Sequence, residues 1–373
     1  MKFVISGFYG LGNTGDEAIL EAIVDNLRDT FDHPDITVFS LSPKETAQTH
    51  GVKTVYRAWR RENKEKVKAL READVLISGG GGLLQDTYPT KFLFGPLPYY
   101  LLIVLLAKIC GTKVMFFSQG IGPVNSRWGK FLMWLLANRA DLITVRDQHS
   151  KDLLHKLRVR KPETVVTADI VFAFQPKPDD ACMKSLPLDG HEKKVAVSIR
   201  PWFQEQRHYI ELAKALDTLI ETEQITPIFV PMEGHHDVKA SRFVLDRMKH
   251  SDRCHLLGPD FTPNQYYQAI ASCEMTIGLR LHSLIFSTLA GVPHVGISYD
   301  RKVESLLKRS GMWPFSSTIE EVSATKVVEN VQQILHDRET YSHQVQTAAE
   351  GMRTEAKKNL ELLQNYFAPT IKK

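Results

Sequence analysis

Four cationic side chains fall where the chain passes from an apolar run into a loop or helix. Arg146 follows the run Leu142–Val145, and Arg200 ends the run Lys194–Ile199. Lys302 comes soon after His294–Ile297, in Tyr-Asp-Arg-Lys. Arg280 and His282 sit in Gly278-Leu279-Arg280-Leu281-His282-Ser283, which opens a predicted helix over Leu281–Leu289. A helix start offers unpaired amides and the positive end of the dipole, and so favours phosphate. Arginine adds bidentate recognition of phosphate or carboxylate. Imidazole suits proton transfer near neutral pH. Each residue alone has a plainer explanation: Arg146 pairs with Asp147 or another acid, and Lys302 is a solvated helix-start residue. The pattern as a whole predicts a site for a small polyanion, made by Arg146, Arg200, Arg280, Leu281, His282 and Lys302.

A second constellation lies near the N-terminus. Gly10-Leu11-Gly12-Asn13-Thr14-Gly15 matches GxGxxG between a strand and a helix, the spacing of a dinucleotide site. The acid that should hold a ribose ~20 residues on is missing, because the next strand ends Phe39-Ser40-Leu41-Ser42. Asp16 and Glu17 would also put carboxylates where a pyrophosphate must lie. A nicotinamide site is therefore not expected. Thr14 and Glu17 have capping-box spacing, which accounts for Glu17. Asn13 and Asp16 suit an uncharged, hydroxyl-rich ligand such as a sugar, with a plain turn as the alternative.

The elements that must position these residues alternate strand and helix. Predicted strands at Lys2–Gly7, Ile36–Leu41, Val75–Ser78, Lys113–Ser118 and Leu142–Val145 each run into a glycine or polar loop. A helix over Gly15–Arg28 carries Ala18, Ile19, Ala22, Ile23 and Leu27 at helical spacing. After the polar stretch Gln175–Lys193 the series restarts, with strands at Lys194–Ile199, Ile225–Val230, Met275–Ile277 and His294–Ile297. This is the pattern of doubly wound parallel sheets, whose ligands bind at the carboxyl ends of strands. The expected organisation is a Rossmann-like domain over 1–175 on the acceptor side and another over 190–338 on the donor side. They should face a cleft, with a helical segment over 339–373 packing back across the domains.

At 373 residues the chain suits two such domains. A net charge of +4 is compatible with handling anions. The four cysteines have no metal-ligand or redox spacing, which reads as a reduced, cytoplasmic protein with no metal. The N-terminus does not have the form of a signal peptide. Two segments invite a membrane reading. Phe92–Ala107 carries no charge, but is broken by Gly95, Pro96 and Pro98 and is short for a span. Arg127–Trp134 interleaves aromatics and cations as interfacial helices do. Burial in the first domain is the ordinary reading of both, and a peripheral membrane contact is the other.

The sequence resembles the polysaccharide pyruvyl transferase family, and within it the bacterial cell-surface-anchoring (CsaB) type. The resemblance rests on Gly12-Asn13-Thr14-Gly15-Asp16-Glu17, Ser78-Gly79-Gly80-Gly81-Gly82-Leu83-Leu84-Gln85-Asp86 and Gln119-Gly120-Ile121-Gly122-Pro123. Val145-Arg146-Asp147, Arg200-Pro201-Trp202 and Leu279-Arg280-Leu281-His282-Ser283 complete it. It implies an α/β, glycosyltransferase-B-like fold, phosphoenolpyruvate as donor substrate, and neither metal nor cofactor. Carried onto this sequence, it implies that Arg146, Arg280, His282 and Lys302 hold or activate the donor. Related chains often carry glutamine where Glu233 stands. The resemblance further implies an acceptor of N-acetylmannosamine in a lipid-diphosphate-linked precursor of a secondary cell-wall polymer, met at the inner membrane face. Nucleic acid is not an expected partner.

Ketal formation needs an acid to protonate the methylene carbon, a base for the attacking hydroxyl, and cations for the departing phosphate. His282 is the candidate acid or, when protonated, a phosphate donor. Arg146, Arg280 and Lys302 would neutralise charge. Asp16 or Asp86 would orient or deprotonate the acceptor. Two other functions fit the same fold: a nucleotide-sugar glycosyltransferase, in which Glu233 could hold the ribose, and a non-catalytic sugar or anion-binding module.

Overall fold

The computed structural model describes residues 1–59, 61–86, 95–188, 190–201 and 206–371, with side chains through residue 368. Trp202 and the Phe92–Phe94 part of the apolar run lie outside the described residues. The chain divides into two compact units. The first comprises Met1–Leu11, Asp16–Gln175 and Met352–Lys373, and the second Gly12–Gly15 and Pro176–Gly351.

In the first unit the strands are β1 (Lys2–Ser6), β2 (Asp35–Ser40), β3 (Lys53–Tyr56), β4 (Val75–Ser78), β5 (Gly81–Leu84), β6 (Lys113–Ile121), β7 (Leu142–Val145) and β8 (Glu163–Val166). Between them run α1 (Thr14–Thr30), α2 (Pro43–His50), α3 (Asn63–Glu72), α4 (Pro96–Ile109), α5 (Arg127–Leu136) and α6 (Gln148–Lys156). The sheet order is β3-β2-β1-β4-β6-β7-β8, with β5 pairing β6, and every pairing is parallel. Parallel strands are covered on both faces, so they read as continuous apolar runs. Val75, Leu76 and Ile77 are fully buried and show why.

In the second unit β9 (Lys193–Ser198), β10 (Ile225–Phe229), β11 (His255–Leu256), β12 (Met275–Gly278), β13 (His294–Ser298) and β14 (Ser317–Thr318) form one sheet of order β11-β10-β9-β12-β13-β14. This is the dinucleotide-fold order, and it reverses direction between β9 and β12. The helices are α7 (Ala181–Lys184), α8 (Arg207–Glu223), α9 (Gly234–Leu245), α10 (Pro263–Ala271), α11 (Leu281–Leu289), α12 (Arg301–Arg309) and α13 (Ala324–His336). Helix α14 (Arg338–Ile371) begins in the second unit, and from Met352 onward its residues belong to the first. There Asn359 is fully buried and accepts a hydrogen bond from Thr167 at 3.1 Å.

The capping box expected of Thr14 and Glu17 is not what forms. The Glu17 carboxylate instead accepts the amide of Gly10 at 2.8 Å, bracing the turn before the helix. Burial pushes this carboxyl up against the lowering effect of the Gly10 and Leu11 amides. Gly10 and Gly12 have φ of +78° and +70°, so the glycines of the motif serve a left-handed turn. Asn13 supplies the local cap, its side-chain oxygen accepting the Gly15 amide at 3.1 Å.

No described helix is long and apolar enough to cross a membrane. Helix α4 is a core helix, with Leu97, Tyr100, Leu101, Ile103, Val104 and Ala107 buried. Helix α5 buries Leu132, Met133 and Leu136 but leaves Phe131 and Trp134 exposed. Trp128 stacks on Phe131, with ring centroids 5.5 Å apart.

Candidate active site

In the second unit the reversal of strand order sets β9 and β12 side by side, and their carboxyl ends carry Arg200 and Arg280. Arg280 is the residue before α11, and Leu281 and His282 are the helix's first two residues. The Arg280 guanidinium is held from behind. Asp237, fully buried, accepts from Nε at 3.0 Å and from Nη2 at 2.5 Å. Glu233, more exposed, reaches Nη2 at 2.5 Å. Burial opposes the charge on Arg280, but Asp237 and then Glu233 outweigh it, so the group stays above its ordinary value. Burial also pushes the Asp237 carboxyl up, against the pull of Arg280. We take the pair as ionised, since arginine does not surrender its proton in proteins.

Lys302 lies in the first turn of α12. Asp300 caps that helix by accepting the Lys302 amide at 3.1 Å, and its carboxylate stands 3.5 Å from Nζ. Between these groups is Tyr299, which the sequence reading passed over. Its ring lies 4.2 Å from the Arg200 guanidinium carbon and 5.9 Å from Lys302 Nζ. It also interacts electrostatically with Arg280. Tyr299 thus lies against Arg200 and Lys302, with Arg280 in electrostatic range. Its only sequence signal is its place directly after the fifth strand of the unit.

His282 packs on the Gly12–Gly15 segment. Thr14 donates its amide to the Met232 carbonyl at 2.9 Å, and Asn13 forms an isolated antiparallel bridge with Glu233. A β-carbon at Gly15 would overlap the His282 ring. The third glycine of the apparent dinucleotide motif is therefore the floor for a histidine 267 positions later in the sequence. This places Asn13 and His282 in one unit, beside Glu233.

In the first unit Arg146 ends β7 and is buried. Its Nη1 is 2.9 Å from Asp169 and its Nε 3.8 Å from Asp147, which also caps α6. Gly120 leaves room for it, since a β-carbon there would lie 2.5 Å from the guanidinium. Asp169 was not legible in the sequence as a partner. Asp16 stands by the glycine run, where a β-carbon at Gly81 would come 3.2 Å from its Oδ1. Asp86 has another occupation. Its carboxylate accepts the amides of Asn125 and Ser126 at 2.7 and 2.8 Å and the Ser126 hydroxyl at 2.6 Å, at the start of α5. Burial raises this carboxyl, but the three hydrogen bonds and Lys130 prevail and leave it below its ordinary value. Among the described residues no cluster of three or more metal-ligating side chains occurs.

Two Rossmann-like domains of this order define a glycosyltransferase-B-like fold. UDP-GlcNAc 2-epimerase from Methanocaldococcus jannaschii superposes with a TM-score of 0.67 at 12% identity, covering 98% of this chain and 100% of that one. HepE of Anabaena, solved in complex with UDP-glucose, gives 0.65 at 15% identity and covers 100% and 99%. The family model for polysaccharide pyruvyl transferase matches residues 13–301, and the chain belongs to that family. It is also 22% identical to the amylovoran biosynthesis protein AmsJ of Erwinia amylovora, over 95% of this chain and 96% of that protein.

Proposed function

We propose that the protein transfers pyruvate from phosphoenolpyruvate to a saccharide as a cyclic ketal. The observation that carries this reading is the group of three cations, Arg200, Arg280 and Lys302, around Tyr299 beside His282. A carboxylate and a phosphate on three carbons ask for several cations and for no base or ribose contact. His282 protonates the methylene carbon, and one sugar hydroxyl bonds to C2. A second hydroxyl bonds to C2 as the C2–O bond to phosphate breaks. Of the two hydroxyl protons released, one replaces that given by His282 and the other leaves with phosphate. Arg280 and Lys302 take the departing charge.

Asn13 orients the acceptor, with Asp16 or Asp86 as the base; both Asp86 oxygens are engaged just before α5. The acceptor we propose is N-acetylmannosamine of a lipid-diphosphate-linked precursor of a secondary cell-wall polymer, as in the cell-surface-anchoring type. The exposed Phe131 and Trp134 of α5, with Arg127 and Lys130 on the same helix, would serve contact with the inner membrane face. The test is mass analysis of a disaccharide-diphosphate-lipid analogue incubated with enzyme and phosphoenolpyruvate. A product heavier by one pyruvate less water supports the reading; unchanged acceptor under saturating donor counts against it.

One observation favours a second reading. Glu233 sets an accessible carboxylate on Arg280, where a nucleotide-sugar transferase would hold a ribose. Thermal stabilisation by UDP or UDP-sugars and not by phosphoenolpyruvate would select that reading.

A further inference from the structure

The residues that directly follow β3 were singled out by no motif. Arg57 follows the strand directly and donates its amide to the Ser40 carbonyl at 2.9 Å. Its side chain is 8% exposed and its guanidinium carbon lies 4.8, 5.1 and 5.4 Å from the rings of Tyr99, Tyr100 and Phe8. The Tyr99 hydroxyl donates to the Arg57 carbonyl at 2.8 Å and approaches the guanidinium. Among the described residues no carboxylate forms an ion pair with it. A buried cation is ordinarily paired, so this one is set for an anion from outside.

Three further features point the same way. The hydroxyls of Tyr9 and Tyr100, each 1% exposed, have no hydrogen-bond partner, and both couple electrostatically to Arg57 and Asp16. Trp59, two residues on, is 37% exposed and packs its ring at 5.5 Å on Tyr99. The loop is also pinned. The fully buried Lys66 ammonium donates to the carbonyls of Ala58 and Arg61 and to Asn63, and Glu62 accepts the Tyr56 amide at 2.6 Å. An exposed indole is a face for a pyranose.

We infer that Arg57 and Trp59 form a glycosyl-phosphate subsite, in which Arg57 receives the phosphate or diphosphate of the acceptor and Trp59 stacks on its sugar. The inference rests on the pyruvyl-transfer reading only for calling the ligand the acceptor. The shared chemistry, a sugar carrying phosphate, fits both a free sugar 1-phosphate and a lipid-linked diphosphate.

The test is calorimetric titration of the full chain with inorganic diphosphate, N-acetylmannosamine, its 1-phosphate and a short-chain lipid-diphosphate analogue. R57Q, R57K and W59A are compared with wild type. Saturable binding of the phosphorylated probes is expected, weakened about ten-fold or more by R57Q and partly restored in R57K. W59A should weaken the two glycosyl-phosphate probes and leave diphosphate binding alone. Phosphoenolpyruvate affinity should stay within about two-fold in all three. Tighter binding of the lipid analogue identifies the carrier-linked source; equal affinities identify the free one. Should R57Q not fold, R57K and W59A decide. The inference is overturned by wild-type binding in R57K and W59A, or by no binding of any phosphorylated probe. If phosphoenolpyruvate neither binds nor turns over while Arg57-dependent binding persists, the pyruvyl-transfer reading fails and the subsite stands.

Discussion

Gly15→Ala separates the chemistry of His282 from the stability of the fold. Gly15 is the second residue of α1 and has helical φ, so alanine there is no backbone strain. On helix propensity alone it should stabilise by up to ~1 kcal/mol. The added methyl, however, would occupy the space of the His282 imidazole. The ring must rotate or retreat by about an ångström, a displacement that costs on the order of 10²-fold when it misplaces a reacting group. General acid catalysis contributes ~10²–10⁴ in rate, or about 2.7–5.5 kcal/mol in barrier. Gly15→Ala should therefore lower kcat by roughly 10²-fold or more with a melting temperature near wild type. His282→Gln, which keeps a hydrogen-bond donor but cannot deliver a proton, should fall further. The assay is steady-state phosphate release with titration of phosphoenolpyruvate binding on the same samples. Near-wild-type turnover in His282→Gln would show the imidazole to be a positioning ligand and turn the search to Lys302. A wild-type kcat in Gly15→Ala, beside a crippled His282→Gln, would show that the Gly12–Gly15 segment yields and does not fix the ring.

Arg280→Ala should raise the donor's dissociation constant about ten-fold or more and also lower the melting temperature, because Asp237 is left buried without its partner; unchanged donor binding by calorimetry would remove Arg280 from the anion site. Asp86→Ala should cost about 1–3 kcal/mol in urea unfolding at neutral pH. That contribution is present above the ordinary aspartate range and lost as pH falls through the depressed pKa; a loss of turnover with unchanged stability would instead give Asp86 a direct role toward the acceptor. His294 is buried between the Val292 carbonyl and Ser310, and burial holds its pKa down at about 4. Its neutral form favours the fold above about pH 6.5, so stability should fall by up to about 1.4 kcal/mol per pH unit between there and about pH 4, and His294→Gln should flatten the acid limb of a urea-midpoint profile by nearly one proton.

Much of the frame was legible because parallel strands announce themselves as apolar runs. Val75–Ser78, Leu142–Val145 and the helix Leu281–Leu289 have the bounds read from sequence alone. The edge strand Lys53–Tyr56 buries only Val55 and so offers no apolar run, and the two-residue β11 and β14 are too short to carry a period. The placement of Arg280 at a helix start was also readable. Its partner Asp237 was not, because it stands 43 positions away on α9 and looks like a polar residue of a surface helix. The same holds for Asp169 behind Arg146. Local motif logic misread Glu17, whose carboxylate serves the turn before it, and could not assign Gly15, whose reason is a side chain 267 positions away. Arg57 escaped notice because a lone arginine after a strand carries no spacing; what distinguishes it is the company of three rings.

Helix α14 gives the first unit an unusual history. Met352, Ala356, Leu360, Leu363 and Phe367 are buried, and they belong to a unit whose other residues precede position 176. A ribosome therefore completes the whole second unit before it delivers the segment that closes the first. Until then the half made earliest leaves uncovered the apolar surface that these side chains meet, a natural target for holdase chaperones. Nascent chains stalled before residue 352 should be retained by them, and chains stalled after residue 367 has cleared the exit tunnel should be released.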